Sequence, residues 1–569
     1  MINFVERIVD LLEKEIKDLN RDEINNLIEI PPDYTMGDYA FPGFSLAKIF
    51  RKNPALIAQD LANTLEDPCF EKIEAKGAYL NFFVNRELLA KEVIEEVKEK
   101  REDFGKVNVG ENKPVIVEYS SPNIAKPFHI GHIRSTVIGD SLKRIYDFLG
   151  YDTISVNHLG DYGTQFGLMI EAYKNWGDRE TVEKNPIQEL VKLYVRINEE
   201  AKEQPELIDN ARNWFMKLEN KDEEALELWE WFRDVSLEEF GRVYDMLDVH
   251  FDSYRGESYY SDLMPAIVEE LKEKDLLVDS QGAKIVDLEE YKLPPAIIIK
   301  SDGSTIYLTR DVTAAKYRKD TYDFYKNIYV VGSQQILHFN QLVAILDKMG
   351  YDWAYDCVHV PFGMVALEEG TLSTRRGNVL YLEDVLNKSV EKVQDILKAR
   401  EEERGEALEN RDQLAKQVGI GAVKFQELFN QRIKDYIFDW DKTLSFEGET
   451  GPYVQYTHAR ICSLLQRGNF NLEDDINTEL LNKKEEIDIL RSMYAFTDSV
   501  IDAHEKYEPY FITRYIVDLA KIFNKYYNST TIITDDLELT KARLLLSYGI
   551  KNILSKGLEL LGIEAPMKM

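Results

Sequence analysis

Pro114-Val115-Ile116-Val117, the loop Pro122-Asn123-Ile124-Ala125-Lys126-Pro127-Phe128-His129-Ile130-Gly131-His132, and the apolar-periodic run on to Leu149 decide the fold of this chain. Val115 to Val117 form a short continuous apolar run, the pattern of a buried parallel strand. From about Gly131 to Leu149, the residues Ile133, Val137, Leu142, Ile145 and Leu149 keep helical spacing, and Gly150 is a C-cap candidate. Ile154 to Val156 predicts a second strand. Strand, loop, helix and strand in this order open a doubly wound α/β sheet. Such a sheet binds phosphates where the loop enters the helix, because the helix N-terminus offers unpaired N–H groups and a positive dipole end. His129 and His132 can donate hydrogen bonds to phosphate oxygens, and Gly131 lets a flat purine approach the backbone. An isolated His-x-x-His would also suit a zinc pair or two structural histidines. The strand before it, the helix after it and Lys126 within the loop point to a nucleotide.

The rest of the chain is organised around that unit. At 569 residues, three or four domains are expected. Residues 1–105 read as an N-terminal α+β module. An amphipathic helix opens it, with apolar positions Val5, Ile8, Val9, Leu12, Ile16 and Leu19. Turn residues follow at Pro31, Pro32, Asp33 and Gly37, then a helix over Pro54–Leu65, a strand over Tyr79–Val84, and a charged closing segment over Val97–Gly105. Residues 106–385 read as the Rossmann-like domain, interrupted by a helical insertion over about 171–247. The sheet pattern resumes at Ala296–Lys300, Ile328–Val331 and Val358–Pro361. From Leu386 onward nearly everything reads as helix, so 386–569 is expected to be an all-α bundle.

Composition bounds the function. Hydrophobic residues make up 44% and charged residues 30%, as in a globular protein with a sizeable core. No apolar run of 18 or more residues predicts a membrane helix, and the acidic start is unlike a signal peptide. Cys69, Cys357 and Cys462 stand far apart with no CxxC pair, so neither a disulfide framework nor a structural zinc is expected, and a reducing cytoplasm is the default. The net charge of −32 argues against nucleic-acid binding by the chain as a whole. The charge is uneven, however: residues 451–569 carry 14 basic against 17 acidic side chains, leaving −29 on the first 450 residues. The C-terminal part is therefore the least repelled by a polyanion.

The motifs carry a family resemblance. His129-Ile130-Gly131-His132 resembles the signature tetrapeptide of class I aminoacyl-tRNA synthetases. The wider string from Glu118 through Tyr119, Ser120, Ser121 and Pro122 to Pro127 is similar to that of the arginyl-tRNA synthetase family. So are Asn157-His158-Leu159-Gly160-Asp161-Tyr162-Gly163, Tyr307-Leu308-Thr309-Arg310-Asp311 and Gly451-Pro452-Tyr453-Val454-Gln455-Tyr456. The resemblance runs along the whole chain. It implies an enzyme that activates arginine with ATP, supplied with Mg²⁺ as substrate, and transfers it to the 3′-terminal ribose of its tRNA. It implies no tightly bound cofactor and no metal site, and a monomer is expected. The second class signature, a Lys-Met-Ser-Lys-Ser loop, corresponds here to Thr371-Leu372-Ser373-Thr374-Arg375-Arg376-Gly377-Asn378, in which only Ser373 matches strictly and Thr374 replaces a lysine.

The chemistry divides the labour among candidate residues. The attacking arginine carboxylate is already ionised, so no general base is needed; positioning and positive charge around the phosphoryl oxygens must do the work. His129, His132, Lys126, Arg375 and Arg376 are the candidates for that charge, and Pro122, Phe128, Gly131 and Ser373 join the histidines as the ATP site. A guanidinium needs carboxylates. Glu118 ends the first strand and Asp311 is read as following another, both facing the crevice at the carboxyl ends of strands. Tyr307, four residues before Asp311, can stack on the guanidinium. By resemblance, Asn123 and Gln335 hold the polar end of the amino acid, while Glu449, Tyr453 and Arg460 match anticodon-contacting positions. Tyr79 and Asn81 match a stretch at the tRNA elbow. Tyr453 and Tyr456 can also be read as helix-packing aromatics, and each carboxylate as a solvated surface group. Two other readings stand beside this one. A small-molecule nucleotidyltransferase shares the His-x-Gly-His unit but needs neither the helical half nor the Tyr307–Asp311 pair. A non-catalytic tRNA-binding paralogue fits the degenerate loop at Thr371 but leaves the intact Asn123, Lys126, His129 and His132 without a role. A glutamate enzyme would need basic residues where Glu118 and Asp311 stand.

Overall fold

The computed structural model describes the chain apart from residues 125, 127, 368–380, 406 and 409. It divides into two compact units. One comprises Met1–Gly105, Arg460–Phe496 and Asp518–Leu554; the other comprises Lys106–Ala459, Thr497–Val517 and Ser555–Met569. The helical segment 386–569 thus contributes to both.

In the first unit the opening helix, Phe4–Glu15, buries Phe4, Ile8, Val9, Leu11 and Leu12, and Asn3 caps it by accepting the Glu6 N–H at 3.0 Å. The apolar period continues to Leu19, yet the helix stops at Glu15 and Ile16 is extended. Asn20 starts a new helix through a capping box with Glu23, which outcompetes continuation of the first. Strands β1 (Tyr39–Pro42), β2 (Phe70–Lys76) and β3 (Tyr79–Val84) pair antiparallel in the order β1-β3-β2. The charged stretch after Arg86 is a helix, Arg86–Lys100, whose Lys98 ammonium donates to the Asp474 carbonyl at 2.8 Å. Arg491 meets the buried Asp38 carboxylate at 2.5 Å within the same unit.

The second unit is built on β4 (Pro114–Glu118), the helix Gly131–Phe148 and β5 (Asp152–Val156). Gly150, at φ +83°, closes that helix as the sequence suggests. Five helices between Thr164 and Leu247 form the insertion. A three-stranded antiparallel sheet follows: β6 (Leu277–Ser280), β7 (Ala283–Val286) and β8 (Ala296–Ile299). Here the sequence reading needs correction. Ala296-Ile297-Ile298-Ile299 has the composition of a buried parallel strand, but its burial alternates and it pairs with β7, outside the parallel sheet. The parallel sheet is completed by β9 (Lys326–Gly332) and β10 (Cys357–Phe362), in the order β10-β9-β4-β5. It buries Ile116, Val156, Tyr329, Leu342 and Ile345 in one core.

Two short strands, β11 (Val365–Leu367) and β12 (Tyr436–Phe438), pair parallel. The turn between β10 and β11 is fastened to the segment before β12: Gly363 N–H donates to Arg432 O at 2.8 Å and Arg432 Nη1 to Pro361 O at 2.6 Å. Arg134, one turn into the helix after His132, donates to Lys434 O at 2.8 Å and faces Glu427 at 3.4 Å, with neither side chain exposed. The Tyr436 hydroxyl donates to the same Glu427 carboxyl. A buried arginine–carboxyl contact therefore joins the nucleotide-type helix to the β11–β12 ladder. Among the described residues no helix is long and apolar enough to cross a membrane.

Candidate active site

The loop leaving β4 is strained and braced. Ser120 and Ser121 both lie in the left-handed region, at φ +69° and +48°, which costs side-chain-bearing residues of order 1–3 kcal/mol each. Side chains from three other elements offset this. Ser120 N–H donates to Ser135 Oγ at 2.9 Å, and Ser135 Oγ donates to Val330 O at 2.7 Å. Ser120 Oγ lies 2.8 Å from Tyr244 OH, and Thr136 Oγ1 lies 2.9 Å from Ser120 Oγ and 2.8 Å from His132 O. Asn157 accepts the Ser121 N–H at 3.2 Å and donates to Tyr244 OH at 2.9 Å. Beyond the serines, Pro122 O accepts from Gly160 N and Ile124 N donates to Gly160 O, both at 3.1 Å. The Asn123 side chain folds over Gly160, where a Cβ would sit 2.4 Å from its Oδ1.

His129 and His132 meet at the helix entrance, their ring centres 4.0 Å apart. Each turns Nδ1 back to the main chain: His129 Nδ1 accepts the Gly131 N–H and His132 Nδ1 accepts the His129 N–H, both at 3.1 Å. This places the proton of each ring on Nε2. His132 Nδ1 also lies 3.2 Å from His129 O, a longer approach that would need the opposite tautomer. Burial depresses both imidazoles; His132 falls to about 3, helped by His129 and Lys126. Burial therefore works against the positive charge expected of these histidines in the empty site, where they offer N–H donors. Gly131 is required by contact, because a Cβ there would stand 2.8 Å from His129 Cε1 and 2.9 Å from Nδ1. The space above it holds the His129 ring, where a purine was expected. Lys126 is half-buried in the same loop.

Phe128 and Pro122 need a second correction. The Phe128 ring is buried against Phe240, Tyr244 and His132, at 5.1–5.4 Å between ring centres, so it backs the His132 ring. Pro122 is buried and spends its carbonyl on Gly160. The Phe128–His129 strand bridges Tyr381, and Leu382 N–H donates to Phe128 O at 2.9 Å. Ser373, Arg375 and Arg376 lie outside the described residues.

The acidic pocket differs from its sequence reading in one carboxylate. Glu118 is buried and already paired through Oε2, 2.5 Å from Arg318 Nη2, so a guanidinium would have to share this carboxylate with Arg318. Asp311 is half-buried and lies in the second turn of the helix Tyr307–Tyr322; it does not follow a strand of the parallel sheet directly. Its Oδ2 meets His338 Nε2 at 2.5 Å, and its Oδ1 lies 3.8 Å from His158 Nε2. His158 is 9% exposed, and neither ring nitrogen has a hydrogen-bond partner. Tyr307, one turn before Asp311, is 58% exposed and stands 5.2 Å from the Arg310 guanidinium. A carboxylate that sequence reasoning missed, Glu257, pairs with Arg310 in this region. Burial pushes it up to about 7; Asp311 and Asp161 add to the rise, and Arg310 opposes it. The short helix it opens, Glu257–Ser261, is tied to the 158–161 segment through Glu257 N–H to Leu159 O at 3.0 Å and Ser258 N–H to Asp161 Oδ1 at 2.8 Å. Gln335 is exposed in the turn directly after β9.

The expected RNA-facing residues are placed as follows. Tyr79 is partly exposed, with the more exposed Phe44 edge-on at 5.8 Å. Asn81 is 4% exposed in β3, between Ala40 and Glu74, so it cannot present its amide to RNA. Glu449 pairs with Arg514 at 2.7 Å, and Tyr453 is half-buried in the first turn of the helix Gly451–Arg467. Arg460 of that helix donates to Asn524 Oδ1 at 2.7 Å and lies over the Tyr527 ring at 5.3 Å. Glu449 and Tyr453 belong to the second unit and Arg460 to the first.

Residues 93–440 match the family described as tRNA synthetases class I (R), catalytic domain; residues 454–569 match the DALR anticodon binding domain; residues 6–84 match the arginyl tRNA synthetase N terminal domain. A protein of Halothermothrix orenii described as arginine–tRNA ligase is 57% identical over the full length of both chains. The chain belongs to the arginyl-tRNA synthetase family. A Clostridioides difficile family member, also described as arginine–tRNA ligase, is 56% identical over the whole of both chains. The crystal structure of the Plasmodium falciparum arginyl-tRNA synthetase is 26% identical, with a TM-score of 0.85, and covers 100% of this chain and 99% of its own. Within the part of the chain that matches the catalytic domain, His158, Glu257 and His338 are further candidate residues beside Asp311 that the sequence reading does not single out. His158 stood inside the quoted Asn157–Gly163 motif, and His338 stood three residues after Gln335.

Proposed function

We infer that the chain charges tRNA with arginine, forming arginyl-adenylate and pyrophosphate from arginine and ATP and then passing the aminoacyl group to the 3′-terminal ribose. The observation that carries this reading is the half-buried Asp311 carboxylate, flanked by His158 and His338, in the unit whose phosphate-type loop ends in paired imidazole donors. Asp311 is the candidate for the guanidinium, with Glu257 as the second acidic neighbour in place of Glu118, and Tyr307 beside them. Asn123 and Gln335 are the candidates for the polar end of the amino acid.

In the first step the arginine carboxylate attacks the α-phosphorus in line. Nε2–H of His129 and of His132 are the proposed donors to phosphoryl oxygens, supported by the Nδ1 bonds that leave Nε2 protonated and by the N-terminus of the Gly131–Phe148 helix beside them. Because burial disfavours charge on both rings, Lys126 is the main candidate for the local positive charge, with Arg375 and Arg376 as its partners and Mg²⁺ arriving with the ATP. In the second step a ribose hydroxyl attacks the adenylate carbonyl and AMP leaves. Tyr79 in the N-terminal module, and Glu449, Tyr453 and Arg460 in the helical part, remain the candidates for tRNA contact. The reading places a monomer in the cytoplasm; the free thiols of Cys69, Cys357 and Cys462 suit a reducing compartment.

The test is ATP–pyrophosphate exchange and tRNA charging with arginine or lysine, with and without tRNA. Arginine-dependent exchange and charging are expected, with lysine rejected. Asp311→Asn should raise the arginine KM strongly and leave ATP binding nearly unchanged, since a buried carboxylate deprived of its role costs ~2–5 kcal/mol. Equal charging of lysine would sink the reading, and tRNA binding without any exchange would make the chain a non-catalytic paralogue.

A further inference from the structure

We propose that protonated His338 occupies Asp311 in the empty enzyme as a stand-in for the substrate cation, and that arginine displaces it, releasing the proton. The proposal rests on the reading that Asp311 receives the guanidinium.

The geometry leaves few other roles for this pair. Asp311 Oδ2 and His338 Nε2 stand 2.5 Å apart, and both side chains are about three-quarters covered, at 24% and 23% exposure. The two nearby arginines are already committed: Arg318 to Glu118 at 2.5 Å, and Arg310 to Glu257. The remaining neighbour of the carboxylate, His158, holds its Nε2 at 3.8 Å, beyond hydrogen-bond reach. Of the two imidazoles beside Asp311, His338 is the one at hydrogen-bond distance, and its charge can come and go near neutrality. The groups facing it are Asp311 from the Tyr307–Tyr322 helix, Glu118 from the end of β4 and His359 from β10, with the Phe339 ring edge-on at 5.3 Å. Burial alone would lower the imidazole, but the hydrogen bond and charge of Asp311, reinforced by Glu118, carry it above its ordinary 6.5. Burial would raise Asp311, but His338, His158 and Arg318 hold it below the usual carboxylate range. The empty site is therefore an ion pair over the range where both conditions hold.

A guanidinium is charged at every working pH. Bringing it to Asp311 while His338 is still charged would set two cations against one carboxylate in a partly desolvated site. The N–H⁺ bond of His338 breaks instead, the proton passes to solvent, and the neutral ring remains beside the new ion pair. Charge balances: one cation enters as one proton leaves. Arginine affinity should then fall about tenfold per pH unit below the His338 titration and be flat above it. Arginine recognition becomes a contest with a proton, and it is decided at a residue that need not touch the substrate in the bound state.

Calorimetric titration of the full chain with L-arginine, in buffers of different ionisation enthalpy, measures the exchange directly. Wild type should release about one proton per arginine below the His338 titration, falling towards zero above it. The His338→Gln variant should bind arginine with no release and with a flat pH profile. Proton NMR of wild type needs no variant to fold: with only eight histidines, one ring should titrate above 6.5 in the free protein and lose that titration on saturation with arginine. If Asp311→Asn abolishes arginine binding while wild type releases no proton, the inference fails and the Asp311 reading stands. If Asp311→Asn binds arginine like wild type, or wild type does not bind it at all, the underlying reading fails. Proton release that persists unchanged in His338→Gln overturns the assignment to this ring.

Discussion

Replacing Glu427 by glutamine tests the buried Arg134–Glu427 contact that joins the helix Gly131–Phe148 to the β11–β12 ladder. Glu427 is 1% exposed and is met by Arg134 at 3.4 Å and by the Tyr436 hydroxyl. Burial pushes its carboxyl up to about 7 from 4.5; Arg134 and Tyr436 oppose the rise without cancelling it. The sign follows from proton counting. Between pH 4.5 and 7 the unfolded carboxyl has lost its proton and the folded one has kept it, so raising the pH favours the unfolded chain. At ~1.4 kcal/mol per tenfold change, this one group removes about 3 kcal/mol of stability across that window. Glutamine does not titrate. The stability difference between variant and wild type should therefore move by about 3 kcal/mol towards the variant from pH 5 to pH 8. Urea unfolding read by tryptophan fluorescence is the assay, because all six tryptophans, from Trp176 to Trp440, lie in the unit that holds Glu427. Two pH profiles that run parallel would refute the argument, since the carboxyl would then titrate in the native state as it does in the unfolded chain.

Three other outcomes are expected. Lys126→Met should slow single-turnover adenylate formation by about two orders of magnitude, with tRNA affinity intact, because a positioned cation is worth ~3–4 kcal/mol and burial disfavours charge on both histidines; a wild-type rate would return Lys126 to a solvated loop charge. Gly131→Ala should drive the His129 ring aside, given the 2.8 Å clash with Cε1, and lower adenylate formation about 100-fold with little change in urea midpoint; unaltered kinetics would show that this ring is not used. Arg460→Ala should weaken tRNA charging and flatten its salt dependence, while normal charging across a salt titration would remove Arg460 from the RNA interface.

Local pattern carried the sequence reading as far as local pattern decides structure. The continuous run Val115–Val117, the helical spacing after Gly131 and the left-handed Gly150 are each set by neighbours in the chain, and each is found where the sequence puts it. Ala296–Ile299 shows where this stops: the same apolar composition serves a buried parallel strand or one face of an antiparallel ribbon, and only its partner β7 separates the two. Glu118 was selected for its place at a strand end, but its availability depends on Arg318, two hundred residues away and announced by no motif. Glu257 and His338 are invisible for the same reason, since their meaning lies in what they touch. Asn81 shares an alternation period with the partly exposed Tyr79, yet β3 is the central strand of its sheet and covers every second face unevenly.

Residues near the end of the chain lie beneath the nucleotide-type helix: Ser141 Oγ donates to Leu560 O across 419 positions, and a Cβ at Gly562 would stand 2.7 Å from both Asp140 Oδ2 and Lys424 Nζ. A ribosome adding about 5–20 residues per second separates the two by tens of seconds. Throughout that interval Asp140 and Ser141 have been made and their cover has not. A nascent chain must therefore wait until residues 560–562 have been made before this helix can be sealed, and a product cut short before residue 560 lacks that cover.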